Sequence, residues 1–167
     1  FCYGGMMEIR RASEADTDGI WAIIEPAIRA GETWALPRDW SREDAFAYWF
    51  APDRETFVAE EDGRILGSYF VRANQPGPGS HVANAGYMTH PDAAGRGIAS
   101  AMARASLDWA RERGFRAMQF NYVVSTNERA VRLWQYQGFA IVGILPGAFH
   151  HPTRGYVDVF VMYQALH

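Results

Sequence analysis

The stretch from Gly86 to Ser100 (GYMTHPDAAGRGIAS) constrains this chain more than any other. It reads as an extended segment stopped at Pro91, a turn of small residues, and then the start of a helix. The first-turn N–H groups of a helix lack intrahelical partners, and the macrodipole favours negative charge there. Ala94, Gly95 and Gly97 carry little or no side chain, so backbone amides can approach a pyrophosphate closely. These features point to a phosphorylated cofactor, with an ordinary strand-to-helix turn as the bland alternative. A dinucleotide fingerprint of the form Gly-x-Gly-x-x-Gly would need glycine where Ser100 stands, and no Gly-Lys-Ser/Thr follows as a nucleotide triphosphatase would require.

The chain has 167 residues and a formal net charge of −3, which fits one domain and argues against a broad nucleic-acid-binding surface. No apolar run reaches the roughly 20 residues that cross a bilayer, and no signal-peptide pattern is present, so a soluble protein without a membrane partner is expected. The one cysteine, Cys2, cannot form an internal disulfide, which suits the cytoplasm. Residues 1–6 precede Met7 and read as a vector-derived extension, leaving 7–167 as the domain.

Glu8 to Arg11 suits an edge strand. Ser13 and Asp16 resemble a capping box ahead of Ile20, Ile23, Ile24, Ala27 and Ile28 at helical spacing, with Pro26 expected to kink or end that helix. Gly31 to Trp40 reads as a loop, and Ser41 starts a second helix bearing Ala45, Phe46 and Trp49. Thr56 to Glu60 and Ile65 to Ala73 are strands joined by an Asp62-Gly63 turn. After a Pro/Gly loop come a strand over Val82 to Thr89 and a helix over Gly97 to Arg113. The helix has an apolar stripe at Ile98, Met102, Ala105 and Trp109, and Gly114 ends it. A strand over Arg116 to Val123, a helix over Asn127 to Gln137, and strands over Phe139 to Leu145 and Tyr156 to Ala165 complete the order. This alternation predicts a single α/β domain: one mixed sheet with helices on both faces.

Two segments carry a family resemblance. Asn127 to Phe139 (NERAVRLWQYQGF) resembles the Asn-x-x-Ala-x-x-Leu-Tyr-x-x-x-Gly-Phe motif of the GCN5-related N-acetyltransferases, the GNAT superfamily, and Met88 to Ala99 resembles their acetyl-coenzyme A loop. Ile9 to Asp16 also looks like their usual first strand and helix start, so the likeness spans residues 7–166. It implies a mostly antiparallel sheet of about seven strands, in which the strand matching Val82 to Thr89 splays from that matching Arg116 to Val123, with acetyl-CoA in the gap. Backbone groups of Tyr87, Met88 and Thr89 would meet the pantetheine arm. Gly95, Arg96, Gly97, Ile98, Ala99 and Ser100 would hold the pyrophosphate. Asn127 would bind the cofactor through its side chain or serve only as a helix cap. Two positions depart from the motifs. Ala94 replaces the usual Arg or Gln, and Trp134 occupies the place of the frequent general-acid tyrosine. An indole N–H can donate to the departing sulfur and contact the cofactor, but it releases no proton near neutral pH.

Acetyl transfer needs a neutral amine, and a lysine-like amine with a pKa of about 10.4 needs a base, a water chain or a depressed pKa. Glu32, in the loop that covers the acceptor side in this family, is the base candidate ahead of Glu25 and Glu43. Tyr122, placed by alternation on the face of Met118 and Phe120, is either core or a contributor to the site. Tyr136, two residues from Trp134 along a helix, faces elsewhere. Trp34 is a candidate acceptor wall along with Trp40, each with a core alternative. Tyr156 and Asp158 resemble the tail of phosphinothricin-type acetyltransferases, where Asp158 either orients substrate or satisfies a strand neighbour. The five histidines lack carboxylates at ligand spacing, and no metal is expected.

The leading expectation is an acetyl-CoA-dependent N-acetyltransferase, an acyltransferase acting on the primary amine of a small molecule such as an amino acid or analogue. Its rivals are a protein N-terminal or lysine acetyltransferase and a non-catalytic acetyl-CoA-binding module. A nucleotide-dependent oxidoreductase is a remote third. In this family the terminal strands often pair across a two-fold axis, so a homodimer is also an expectation of the resemblance.

Overall fold

The computed structural model describes residues 6–167, so Cys2 and most of the expected extension at 1–6 lie outside the described residues. In chain order the strands are β1 (Glu8–Arg11), β2 (Arg54–Glu61), β3 (Arg64–Ala73), β4 (Val82–Thr89), β5 (Ala117–Val124), β6 (Ala140–His151) and β7 (Gly155–Ala165). The helices are α1 (Thr17–Ala30), α2 (Arg42–Trp49), α3 (Ile98–Glu112) and α4 (Glu128–Tyr136). The strands form one sheet in the order β1-β2-β3-β4-β5-β7-β6. Every neighbouring pair is antiparallel except β4 and β5, which are parallel.

Each face of the sheet buries a separate core. On one face α1 and α2 bury Ile20, Ile23, Ile24, Ile28, Ala45 and Trp49 against Val58, Ile65, Phe70 and Met88. On the other, α3 packs Ile98, Met102, Ala103 and Leu107 against Leu66, Tyr69, Ala83 and Met118, and Trp134 of α4 joins them. Fully burying one such Leu, Ile, Phe or Met contributes about 1.5–3 kcal/mol, so these faces outweigh any local propensity. Trp49 is fully buried, and its indole N–H donates to Ser68 Oγ at 2.9 Å, which in turn donates to the Phe57 carbonyl at 2.7 Å. The buried Trp49 N–H and the Ser68 hydroxyl are thereby both satisfied.

Pro26 does not end α1, which continues to Ala30 and stops at Gly31 in the left-handed conformation. Pro26 and Ala22 are both exposed, so the carbonyl that the missing N–H would have engaged is open to water. The last two strands are longer than their apolar runs suggest, because β6 reaches His151 across an irregularity between Leu145 and Phe149.

A charged cluster fixes the start of α1. Arg10 Nη2 donates to Asp16 Oδ1 at 2.8 Å, Arg10 Nε donates to Glu60 Oε2 at 2.8 Å, and the Ser13 amide donates to Asp16 Oδ2 at 2.8 Å. The Arg10 hydrogen bond holds the Asp16 carboxyl below its ordinary range, against an opposing desolvation effect. A carboxyl with a depressed folded-state pKa stabilises the fold above its unfolded pKa of about 3.9 and loses that contribution as pH falls through the folded value. Asp16→Asn should therefore cost about 1–3 kcal/mol at pH 7, and the gap from the parent should close as pH drops below about 4, as read by urea unfolding across pH.

Candidate active site

Strands β4 and β5 are paired only at Val82 with Ala117 and Ala83 with Met118, and then diverge. At the root of the split the Arg116 amide donates to the His81 carbonyl at 2.9 Å, and Asn84 Nδ2 reaches across to the Gln119 carbonyl at 2.9 Å. On the other side of β4 the Asn74 amide donates to the Val82 carbonyl at 2.8 Å and the His90 amide to the Leu66 carbonyl at 2.7 Å. Backbone groups alternate in direction along a strand. Odd positions of β4 therefore turn toward the gap and even positions toward β3. Ala85, Tyr87 and Thr89 present unpaired N–H and C=O groups to the opening. Met88 does not: it sits opposite Ser68 in the β3 ladder and its side chain is buried in the α1/α2 core. The expectation that three consecutive residues face the gap fails on this alternation, and Ala85 takes the place of Met88.

The gap opens into a cleft of about 220 Å³. Its walls are Asn84 to Tyr87 of β4, Phe120 to Val124 of β5, and Asn127, Ala130 and Trp134 at α4. Thr33 to Leu36 of the α1–α2 loop, Tyr48 of α2 and Phe70 of β3 close the remaining side. The loop is tied down by Arg29, whose Nη2 donates to the Trp40 carbonyl at 2.7 Å, and by Arg38, whose Nε donates to the Arg29 carbonyl at 2.9 Å. Trp34 is thereby held edge-on to Trp49 at 5.7 Å. It lies directly over Gly86, where an added Cβ would come within 2.6 Å of the indole and 2.8 Å of the Phe70 ring. Trp40 instead packs on Tyr48 and does not line the cleft.

Trp134 is buried, with its ring 4.8 Å from Tyr87 and 4.6 Å from Phe120, so it touches both diverging strands. The Tyr87 phenol turns the other way: it bonds Ser106 Oγ of α3, and burial raises its pKa well above the ordinary tyrosine value. It offers no proton to the cleft. Asn127 caps α4, its Oδ1 accepting from the Ala130 amide at 3.4 Å, and it also lines the cleft. Both readings of that residue are thus sterically compatible.

Tyr122 departs from its expected face. Phe120 is paired with Met162 and Val123 with Phe160, so β5 carries an extra residue there. The bulge resets the alternation and puts Val123, not Tyr122, on the Phe120 side. Tyr122 is 39% exposed at the rim of the cleft, edge-on to Phe149, with its hydroxyl donating to the Ala148 carbonyl. Glu32 is exposed just past the end of α1 and is not among the cleft residues. Tyr156 is 74% exposed, stacked on His150 away from the cleft. Asp158 accepts from the Gly147 amide at 3.0 Å, serving the irregular turn of β6. Among the described residues no carboxylate or histidine lines the cleft, and no group of three or more His, Cys, Asp or Glu is placed to hold a metal.

At the far end of β4 the chain makes a 3-10 turn over Pro91–Ala93 and enters α3 through Gly95 and Gly97, both at φ +79°. That left-handed geometry is open to glycine without strain and leaves the amides of Ile98, Ala99 and Ser100 free in the first turn. Arg96 is turned aside: its amide bonds the Ala93 carbonyl at 3.3 Å and its guanidinium pairs with Glu61. A cation does stand at the turn. Arg129 of α4 lies 3.8 Å from where a Gly95 Cβ would be. Sequence reasoning did not single out Arg129, Tyr48, Phe70 or Asn84. For Arg129 the signal was its place two residues past Asn127, in the first turn of α4.

Residues 21–139 match the model of the Acetyltransferase (GNAT) family. The chain belongs to the GNAT family. It is thus an acyltransferase of the type that uses acetyl-CoA, and the resemblance drawn from its two motifs is correct. The fold agrees with that of a GCN5-related N-acetyltransferase from Kribbella flavida at 44% identity and a TM-score of 0.92, over 95% of this chain and 97% of that one. The N-acetyltransferase aca1 of Schizosaccharomyces pombe is 29% identical over 156 residues, 83% of this chain and 75% of that protein. A phosphinothricin acetyltransferase from Sinorhizobium meliloti, solved in complex with AcCoA, shares the fold at a TM-score of 0.83 and 19% identity, over 95% of this chain and 88% of that one.

The contact between Gly86 and Trp34 gives a direct test of the GNAT cleft. Gly86→Ala should lower stability by about 1–3 kcal/mol by overpacking. Part of that cost should appear as a red-shifted tryptophan emission as Trp34 is pushed toward solvent.

Proposed function

We propose that this protein transfers the acetyl group of acetyl-CoA to the primary amine of a small molecule, within the cleft between β4 and β5. The observation that carries this reading is the unpaired inner edge of β4, whose Ala85, Tyr87 and Thr89 backbone groups run from an aromatic pocket toward a glycine turn at a helix N-terminus. An extended amide-bearing arm would complete that edge as a further strand does. The residues fit the carrier. Free amides at Ile98, Ala99 and Ser100 and the guanidinium of Arg129 suit a pyrophosphate, and Arg129 supplies the cation that Ala94 does not. Asn127 and Trp134 sit beside the pantetheine path.

When bound, acetyl-CoA supplies the thioester: a C–N bond forms as the C–S bond breaks, the amine gives up one proton, and the sulfur leaves as thiolate or thiol. The odd-numbered β4 amides are placed to donate to the acetyl oxygen as charge develops on it. With no carboxylate or histidine in the cleft wall, no side chain there is suited to take the amine proton near neutral pH. The acceptor must arrive neutral or lose its proton to water. Glu32, Tyr156 and Asp158 therefore have no part in this reading, and Tyr122 shapes the rim.

The domain would occupy residues 7–167. A homodimer is also part of the reading, supported by the exposed and uncharged edge of β6 at Ile141, Val142, Ile144 and Leu145. The scarcity of cysteine supports a cytoplasmic setting.

Isothermal calorimetry should detect saturable coenzyme A binding, and Arg129→Ala should weaken it about 3- to 30-fold, as expected for one charge-assisted phosphate contact. Absence of any coenzyme A binding would overturn the reading. In a thiol-release assay, kcat/KM should climb with pH toward the pKa of the acceptor amine, without the acid limb at about pH 4–6 that a carboxylate or histidine base would impose.

A further inference from the structure

None of the side chains lining the cleft is charged. On the acceptor side its walls are Trp34, Leu36, Tyr48 and Phe70, all apolar or aromatic. The two amide side chains there are already engaged at both ends. Asn84 donates to the Gln119 carbonyl and accepts from Arg72 Nε at 3.1 Å, while Asn121 donates to Asn74 Oδ1 at 2.6 Å and accepts from Gln119 Nε2 at 2.9 Å. A carboxylate or a second ammonium entering this pocket would have to be desolvated with no charged partner in the cleft wall.

Behind the aromatic wall lies a positive charge. The Arg54 side chain is only 5% exposed, its guanidinium carbon 4.8 Å from the Tyr48 ring centre and 4.5 Å from that of Phe70. Its Nη1 is buried without a hydrogen-bond partner. Arg54 and Arg72 share one carboxylate, Asp53, at 2.8 and 3.6 Å, so the cluster keeps an excess of positive charge. Hydrogen bonding to Arg54 lowers the Asp53 pKa, so Asp53 stays ionised beside the two guanidinium groups. The Tyr48 and Phe70 rings already receive one cation, and its field opposes a second on the cleft side. The same field favours an anion, but the two rings stand between, so a carboxylate in the cleft gains no hydrogen bond to the guanidinium that would offset its desolvation. Arg72 is held by Asn84 and Asp53 and does not line the cleft, so it does not offer itself to an acceptor carboxylate.

We infer that the preferred acceptor is a monoamine with an aromatic or branched apolar body and no second charge of either sign. The inference rests on the transferase reading above and narrows it away from amino acids and polyamines. It also supplies what the cleft lacks in a base: the Arg54 field disfavours the ammonium form, so the amine reaches the thioester neutral.

The test is thiol release by the full chain with acetyl-CoA and four acceptors: phenethylamine, phenylalanine, putrescine and a short lysine-containing peptide. Phenethylamine and phenylalanine differ only by the carboxylate. Phenethylamine should exceed each of the others by at least about tenfold in kcat/KM, the ratio that corresponds to about 1.4 kcal/mol of discrimination. A smaller margin, or a preference for any charged acceptor, overturns the inference and leaves the transferase reading standing. Release with none of the four, in a protein that binds coenzyme A, overturns the inference as well. Release with no acceptor and no coenzyme A binding removes the transferase reading itself. Leu36→Glu, which places a carboxylate in the acceptor wall, should move the phenethylamine-to-putrescine ratio at least about tenfold toward putrescine. An unchanged ratio in a folded variant counts against the assignment. If that variant does not fold, the four-acceptor comparison on the parent chain decides alone.

Discussion

The architecture turns on two parallel neighbours that are prevented from staying together. β4 and β5 begin as a normal ladder and then diverge, and the indole of Trp134 packs across them, contacting Tyr87 on one strand and Phe120 on the other. Closing the gap would regain a few backbone hydrogen bonds, each worth about 1 kcal/mol net. It would also expel an aromatic cluster that includes Phe139 stacked on Phe120 at 4.3 Å, and each such ring buries about 150–250 Å². The apolar term wins, and the edge of β4 remains available. A tryptophan at this position thus bridges the two diverging strands.

That opening gives the rest of the structure its division of labour. The α3/α4 face is packed aromatic core and holds the gap to a fixed width. The α1/α2 face supplies the opposite wall of the cleft. The loop bearing Trp34 has no regular secondary structure, yet it is fixed by the guanidinium groups of Arg29 and Arg38 and by contact with Trp49. The wall is therefore held in place by side-chain contacts and not by a backbone ladder. The GNAT motifs lie on the end of β4, the glycine turn and α4, whereas on this second face residue spacing gives no motif to match.

The legible part of the sequence was the part governed by period and punctuation. Helical spacing in α1 and α3, the Asp62-Gly63 turn, and glycines ending helices all report local geometry that the chain itself enforces. What was not legible depended on partners. The extra residue in β5 is specified by register against β7, so Phe120 to Val123 alone reads as plain alternation and places Tyr122 on the wrong face. Glu32 sits two residues beyond the end of α1, where direction is set by Gly31 and not by any repeat. Asp158 has two readings from sequence alone, and its hydrogen bond to the Gly147 amide supports the structural one. The direction of the Met88 backbone was recoverable in principle, since strand parity is strict, but only after one hydrogen bond had fixed which parity faces the gap. Arg54 carried no sequence signal at all. A lone arginine opening a strand normally faces water, and only tertiary packing encloses it between two rings.

The hydroxyl of Tyr122 joins the cleft rim to Ala148, inside the irregular stretch of the outermost strand, and Asp158 secures the same stretch through Gly147. One phenol therefore spans from the mouth of the pocket to the margin of the sheet. Anything that straightened that margin would pull on the mouth as well, so the two ends of this short lever are mechanically a single part.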